Sequence, residues 1–425
     1  MASDVTVTPD QVSVGVLVSS IPRDVIDVAV AAHGVGAKRS GGKLPAHVVA
    51  YLTLGLCLFP DDDYTEVATK VTGSLSRFGC WDASWRVPTS SGISQARQRV
   101  GAQVLADVFE GVAQPVATMS TRGAWLRRWR LLAIDGFDAD LPDTPQNVAE
   151  FGYAGSGDNR SAFPKVRVVA LAECGTHAFL AAEVDAYSVG EKTLAGRLYP
   201  RLRRDELLTA DRNFYSFDAW SAAVRTGAAL LWRAPTQLRL PVVEVLADGT
   251  YTSVVINPAI RGARRDRIIE AARAGEDLDP GDAHLVRVIE YDVPDRAGNG
   301  TGELIVLLST IVEPADARCD ELAAAYHDRW EEETANDQLK THLRGPGRVL
   351  RSRLPQLVRQ EIWAWLSVHY AVAVLVARAA EAADMDPDRI SFTRTLRLVR
   401  RTATGTAAFP PLKTGIWLCP RSWPR

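Results

Sequence analysis

A chain of 425 residues with 47% hydrophobic and 24% charged residues has the composition of an ordinary globular protein, which excludes a disordered polymer and leaves room for two or three domains with real cores. The formal net charge of −2 excludes a globally basic nucleic-acid binder, although a near-neutral total can conceal local basic stripes. The five cysteines, Cys57, Cys80, Cys174, Cys319 and Cys419, contain no CxxC pair, which excludes a zinc site and a disulfide framework and points to a reducing cytoplasm.

The N-terminus, "MASDVTVTPDQ", has neither the basic start nor the apolar core of a signal peptide. Residues 1–120 then read as helical. "IPRDVIDVAVAAHG" has helical periodicity and stops at Gly34, "KRSGGKLP" is a basic loop, and "PAHVVAYLTLGLCLF" begins with a proline suited to a first helical turn. "SGISQARQRVGAQVLADVFEGVA" opens with serines able to cap it and carries Arg97 and Arg99 in its first turns. Basic residues there oppose the helix dipole. They serve either an anion from outside or a solvated face.

From residue 121 the texture changes to strands. "RLLAID" is an apolar run ending at Asp135, "KVRVVALAEC" and "AFLAAEVDAY" form a strand pair around Gly175, and "ELLTAD" is a second apolar run ending at Asp211. A helix near "SFDAWSAAV" and a buried strand, "AALLWRA", follow. Residues 231–310 add further strand-like segments, "RLPVVEVL", "TYTSVVI", "HLVRVIEYDV" and "ELIVLLSTIV", between Gly, Pro and Asp. Helices resume at "QLVRQEIWAWL" and the arginine-laden "FTRTLRLVRR", and residues 404–425 form an irregular, Pro- and Trp-rich tail. The apolar runs "VVAYLTLGLCLF" and "IWAWLSVHYAVAVLVA" fall short of the roughly 20 residues a membrane span needs and read as core helices.

The chemistry concentrates in "YHDRWEEETANDQLK". On a helix, Tyr326, Arg329, Glu333 and Lys340 fall within a stripe about 60° wide and about 21 Å long. Ala324, Ala335, Leu339 and Leu343 fall opposite, so the polar stripe is expected to face outward. Taken alone, Arg329 and Glu333 are an ordinary i,i+4 ion pair worth a few tenths of a kcal/mol.

Asp135 and Asp211 give the stripe a purpose, because each ends a short apolar run and so belongs at the rim of a sheet. If their strands are neighbours the carboxylates converge, and Glu333 on a helix packed across the sheet would complete a cluster. Three carboxylates repel, each pair by about 4 kcal/mol at 4 Å in an effective dielectric near 20. Cations relieve that repulsion, and hard oxygen ligands select Mg²⁺ or Mn²⁺. Two such ions clamp the attacking and leaving oxygens of a phosphodiester. Arg329 and Lys340 would then meet flanking phosphates, and Tyr326 would add a hydroxyl donor.

The spacing Y-(2)-R-(3)-E-(6)-K closely resembles the signature of bacterial DDE transposases of the insertion element 4 group. "LLAIDGFDADLPDTPQN" and "LLTADRNFYSFDAW" resemble that group's two aspartate segments, and the N-terminal segments resemble its N-terminal domain; the likeness runs from about residue 15 to about residue 401. The resemblance implies an α/β fold: a ribonuclease-H-like catalytic core in two parts, residues 121–230 and 311–403, interrupted by a β-strand insertion domain over 231–310 and preceded by a helical, DNA-binding domain over 1–120. It implies Asp135, Asp211 and Glu333 as catalytic residues and ligands of two Mg²⁺ or Mn²⁺ ions. DNA contacts would come from Tyr326, Arg329, Lys340 and Trp330, the last close to displaced bases.

The implied activity is cut-and-paste movement of an insertion sequence in the bacterial cytoplasm. Metal-activated water cuts at the terminal inverted repeats, and the freed 3′ hydroxyl attacks next, in related members giving a hairpin. The partners are double-stranded DNA, terminal repeats and target alike, and a second copy of the chain in a DNA-bound homodimer. Two alternatives belong to other classes: a transposase-derived DNA-binding protein without cleavage, and a ribonuclease-H-like nuclease without strand transfer.

Overall fold

The computed structural model describes residues 19–36, 44–72, 88–293 and 302–402, with the side chains of Trp330, Glu331 and Glu332 left out. The tail at 404–425, Cys80, Cys419 and most of the "KRSGGKLP" loop lie outside the described residues; Cys57, Cys174 and Cys319 form no disulfide among the described residues.

The first third is helical where it is described: α1 (Arg23–Ala32), α2 (Ala46–Leu58), α3 (Tyr64–Thr72) and α4 (Ser90–Val112). The cap of α4 is Thr89, whose hydroxyl accepts from the Gly92 N–H at 3.2 Å, rather than one of the serines that follow. Gly101 interrupts α4 with a φ of 79°, a backbone state open to glycine.

A mixed sheet follows. Its strands are β1 (Trp125–Leu126), β2 (Trp129–Asp140), β3 (Lys165–Glu173), β4 (Ala178–Ala186), β5 (Glu206–Ala210), β6 (Ala229–Arg233), β7 (Glu244–Val245), β8 (Tyr251–Ile256), β9 (Ala283–Val293) and β10 (Glu303–Ser309). The order across it is β4-β3-β2-β5-β6-β10-β9-β8-β7, with β1 paired to β2. β2, β3 and β4 form an antiparallel meander, whereas β5 and β6 run parallel to β2. The parallel strands β5 and β6 are buried almost throughout, as strands covered on both faces must be. Strands β7–β10 are continuous with this sheet, because β10 pairs antiparallel with β6 over Leu307–Ser309. Between them lies an unanticipated helix, α8 (Ala263–Arg273), charge-rich and burying only Ala272, so it lacks the apolar period that would announce it.

Helices cover the sheet: α5 (Pro145–Phe151), α6 (Glu191–Leu198), α7 (Phe217–Val224), α9 (Cys319–His327), α10 (Trp330–Asp337), a π-helical turn at Gln338–Leu343, α11 (Pro355–Ala382) and α12 (Phe392–Thr402). The second apolar run lies inside α11, whose 28 residues are long and apolar enough to cross a membrane by length and composition, contrary to the shorter element expected. Its most apolar stretch is 78% buried inside the protein, the packing of a core helix. Residues of α1–α4, of α11 and α12 and of the β2–β4 end of the sheet share one hydrophobic core.

At the edge of that core Arg97 departs from its expected role, because it is fully buried. Its guanidinium donates to Gln360 Oε1 at 2.8 Å, Tyr64 Oη at 2.8 Å, Ser352 Oγ at 3.3 Å and the Leu357 carbonyl at 3.3 Å, all inside the protein. Gln360 in turn donates to the carbonyls of Arg97 and Gly101, serving acceptors beside the α4 kink. Arg97 therefore joins α4 to α11 and presents nothing to an outside anion. Arg99 is exposed and lines an open cleft with Gln95, Gln98 and Gln356. Arg97→Ala strands several buried acceptors and is expected to cost on the order of 3 kcal/mol of stability, measured by urea unfolding, while the fraction that folds keeps wild-type DNA affinity.

Candidate active site

Strand parity determines which side chains meet. On β2, Leu131 and Ala133 pack into the cluster containing Tyr326, and Phe137 and Ala139 into the core shared with α11; Leu132 and Ile134 face the other side, with α6 and α7. Asp135 has odd parity and so faces α9 and α10. β5 pairs parallel with β2, the last pair being Ile134 with Ala210, so Asp211, the first residue past the end of β5, stands beside Asp135, which lies mid-strand in β2. Both are partly exposed; contrary to the expected rim position, Asp135 does not end its strand, because β2 runs on to Asp140 in pairing with β3.

The stripe lies across them. Tyr326 is 2% and Arg329 6% exposed, so the polar face expected outward is turned onto the sheet at this end. The physical reason is that the segment is sandwiched: Ala335, Leu339 and Leu343 are also buried, in the core with α11, and one helix cannot give both faces to solvent and core. Burial pushes the Tyr326 hydroxyl up; the Arg329 charge works against that and the Asp211 charge adds to it, which puts Asp211 within electrostatic reach of both. Burial disfavours the Arg329 charge, but Tyr326, Glu333 and Asp211 together hold its pKa above the ordinary value. Farther along, Asn336 Nδ2 donates to Asp135 Oδ2 at 3.3 Å, and Lys340 Nζ lies 5.9 Å from the centre of the Phe137 ring, two residues beyond Asp135 on the same face. The stripe thus passes from Asp211 to Asp135 and on toward the end of β2.

Glu333 sits between these contacts, with its carboxylate held by Arg329 Nη2 at 3.1 Å. Among the described residues no three His, Cys, Asp or Glu side chains are gathered closely enough to hold an ion. The donor chemistry nevertheless suits a hard cation: two carboxylates lie side by side, one mid-strand in β2 and one just past β5, with a third on the covering helix, whose side chain is 42% exposed and tied to a neighbour one turn away. Trp330 opens α10, and its side chain lies outside the described residues.

Residues 11–110 match the family described as insertion element 4 transposase N-terminal. Transposase InsG for insertion sequence element IS4, from Escherichia coli (strain K12), is 27% identical over 363 residues, covering 84% of this chain and 76% of that protein. The chain is similar to transposases of the insertion element 4 group. Putative transposase InsZ, from the same strain, is 29% identical over 195 residues, 45% of this chain and 62% of that one. A chain in the cryo-EM structure of the piggyBac transposase synaptic complex with hairpin DNA aligns with a TM-score of 0.44 and 9% identity, over 93% of this chain and 80% of that chain, a likeness too remote to carry weight.

Two further residues are not apparent from the sequence motifs. Asn336 lies three residues after Glu333, a spacing that puts both on one helical face, so periodicity alone would have offered it. Glu191, at the start of α6, carries no such signal. It fills the space beside Gly136, where an added Cβ would stand 3.1 Å from its carboxylate, and its pKa is raised by burial, with Arg167 opposing and the charges of Asp135 and Asp138 adding.

The turn before α10 carries a further electrostatic cost. Asp328 is raised from 3.8 to about 6, first by burial and then by the charges of Asp388 and Asp386. An acid whose folded pKa lies above its unfolded value binds its proton more tightly when folded, so its stabilising contribution is complete below about pH 4 and is lost as pH rises through about 6. Asp328→Asn is therefore expected to raise the melting temperature by a few degrees at pH 7 and to leave it unchanged at pH 4, as read by differential scanning calorimetry.

Proposed function

We propose that this DNA transposase is a DDE enzyme in which Asp135, Asp211 and Glu333 hold two Mg²⁺ or Mn²⁺ ions and act on the phosphodiester at the ends of an insertion sequence. The observation that carries this reading is the parallel register of β2 and β5, which sets the two aspartates side by side beneath the helix bearing Glu333. The order β4-β3-β2-β5-β6, with one antiparallel meander and two strands parallel to β2, supports a ribonuclease-H-like core, and the strands β7–β10 correspond to the insertion over 231–310. The helical region over 1–120 is assigned to DNA binding, and 311–403 to the second part of the catalytic domain.

The chain's own residues divide the work. Asp135 presents its oxygens from within β2, and Asp211 from the first position past β5, so both are placed by the sheet. Asn336 keeps one Asp135 oxygen oriented through its amide hydrogen bond. Glu333 joins the aspartates by leaving Arg329, a rotation about its own side-chain bonds. Arg329, so released, offers its guanidinium to a backbone phosphate, and Tyr326, Lys340, Trp330 and the exposed Arg99 contribute further contacts that position DNA without reading its sequence. Divalent ions at such a site supply an activated water and charge neutralisation for in-line displacement at phosphorus. Cut-and-paste transfer follows, with the freed 3′ hydroxyl as the nucleophile, performed by a DNA-bound homodimer in the bacterial cytoplasm.

The test uses duplex DNA carrying the element's terminal inverted repeats, Mg²⁺, and denaturing gels. Asp135→Ala, Asp211→Ala or Glu333→Ala should each reduce cleavage by at least about 10³-fold, given the several kcal/mol that metal-assisted charge stabilisation supplies, with DNA binding largely kept. Retained cleavage in any one variant removes that residue from the site. Nicks without joined or hairpin products would indicate a nuclease without strand transfer, and intact DNA with wild-type protein would indicate a binding protein.

A further inference from the structure

Among the described residues four arginines are buried, and they are not alike. Arg97, Arg287, Arg329 and Arg344 are 0%, 0%, 6% and 8% exposed. Three are engaged from within the fold. Arg97 bonds to Gln360, Tyr64, Ser352 and the Leu357 carbonyl. Arg287 pairs with Asp248 and donates to Thr250 Oγ1 at 2.9 Å and the Ala317 carbonyl at 2.7 Å, and Arg329 donates to Glu333 Oε1 at 3.1 Å. Arg344 differs: its Nε is buried without a hydrogen-bond partner, and among the described residues no carboxylate forms an ion pair with its guanidinium.

Burial is what gives this absence meaning. Water serves the N–H groups of a surface arginine whether or not an acid stands nearby, but a guanidinium inside the protein lacks that recourse. Two carboxylates lie within electrostatic reach of Arg344 and neither takes it. Asp140 accepts from Lys165 Nζ at 2.7 Å, and Glu361 accepts from the N–H groups of Ser352 and Arg351 at 3.0 and 3.2 Å. Burial lowers the Arg344 pKa, and the charges of those two acids only oppose that. The dipole of the helix that Arg344 ends favours a cation there, but it leaves the buried N–H unsatisfied.

The position of Arg344 continues a series. Asn336, Lys340 and Arg344 recur every four residues, a spacing that puts them on one helical face. They follow β2 outward: Asn336 bonds to Asp135, Lys340 lies 5.9 Å from the centre of the Phe137 ring, and Arg344 comes within reach of the charge of Asp140, where β2 ends. Arg344 closes the π-helical turn, its N–H donating to the Leu339 carbonyl at 3.0 Å. The unpartnered cation thus stands one turn beyond Lys340, on the line leading away from Asp135.

We infer that Arg344 receives a backbone phosphate of the DNA strand lying across the active site, beyond the phosphate met by Lys340. This subsite rests on the DNA-transposase reading and deepens it with a residue outside the spaced sequence signature. Four residues at ~1.5 Å each separate Lys340 from Arg344 by about 6 Å along the helix, and a strand presents a phosphate every ~3.4 Å of duplex axis, so the two cations reach different phosphates. The guanidinium fork matches two phosphate oxygens, so one phosphate is the partner that the fold withholds. A charge buried and unpaired destabilises the free protein, and bound DNA offsets that cost.

The test measures binding of a fluorescein-labelled duplex carrying the element's terminal inverted repeat to the full chain by anisotropy, without divalent ions, across a range of salt. Arg344→Met replaces the charge with a flexible apolar side chain and should reduce the steepness of log affinity against log salt by about 0.9, the contribution of one phosphate. Its melting temperature should equal or exceed that of the wild type, because the change removes an unpaired buried charge. Arg344→Lys keeps the charge and should return the slope to the wild-type value. An unchanged slope in the methionine variant, no recovery in the lysine variant, or a methionine variant that melts well below the wild type and so marks Arg344 as structural, overturns the subsite. Cleavage of the same duplex by wild-type protein in Mg²⁺, assayed alongside, keeps the two claims apart: cleavage together with an unchanged slope in the methionine variant removes only the subsite, whereas wild-type protein that neither binds nor cuts the duplex removes both.

Discussion

The parallel pairing of β2 with β5 is the constraint from which the rest of the site follows. A register that ends at Ile134 and Ala210 leaves Asp135, inside β2, beside Asp211, the first residue past β5, on the same face. A slip of one residue would turn one of them to the opposite face, toward α6 and α7, and no side-chain rotation could recover it. The register is secured by burial: Leu208 and Ala210 share one cluster with Leu132 and Ile134, and Leu207 shares another with Leu131, so sliding the strands would expose apolar groups on both faces.

The covering helix is held from both sides. Tyr326 and Arg329 are pressed against the sheet near Asp211, Asn336 bonds to Asp135, and the opposite face enters the core shared with α11. The π-helical turn at Gln338–Leu343 comes where this helix passes from the sheet toward α11 and α12. Gln338 bridges His177 Nδ1 at 2.8 Å and His369 Nε2 at 3.2 Å, joining the turn between β3 and β4 to the middle of α11. Burial, with the His177 charge adding, drives His369 down to about 3, so that ring stays neutral and serves as a packing and hydrogen-bonding element between Phe179 and Phe392.

The second aspartate was legible at a strand end because parallel strands covered on both faces must be unbroken apolar runs, as in β5, whereas the run before Asp135 ends without ending its strand, since β2 runs on to Asp140 along β3. The helix stripe was legible as a spacing but not as an orientation. Periodicity identifies two faces of Tyr326–Lys340, but it cannot say that both are covered, one by the sheet and one by α11. Arg97 was misleading for a related reason: a charged side chain in an amphipathic segment normally marks the solvent side, and only the fold supplies Gln360, Tyr64 and Ser352 to receive it. The joining of β10 to β6 was equally hidden, since pairing between distant strands leaves no local signature.

The central claim is that Asp135 and Asp211, set together by the β2–β5 register, are the anchor of a divalent-ion site completed by Glu333. The most direct measurement counts bound Mn²⁺ by electron paramagnetic resonance on the protein with duplex DNA, comparing wild type with the Asp135→Asn, Asp211→Asn double variant. The account predicts Mn²⁺ bound to the wild type and none above the DNA background in the double variant, with the fold unchanged by circular dichroism. Equal Mn²⁺ occupancy in the two proteins would contradict it.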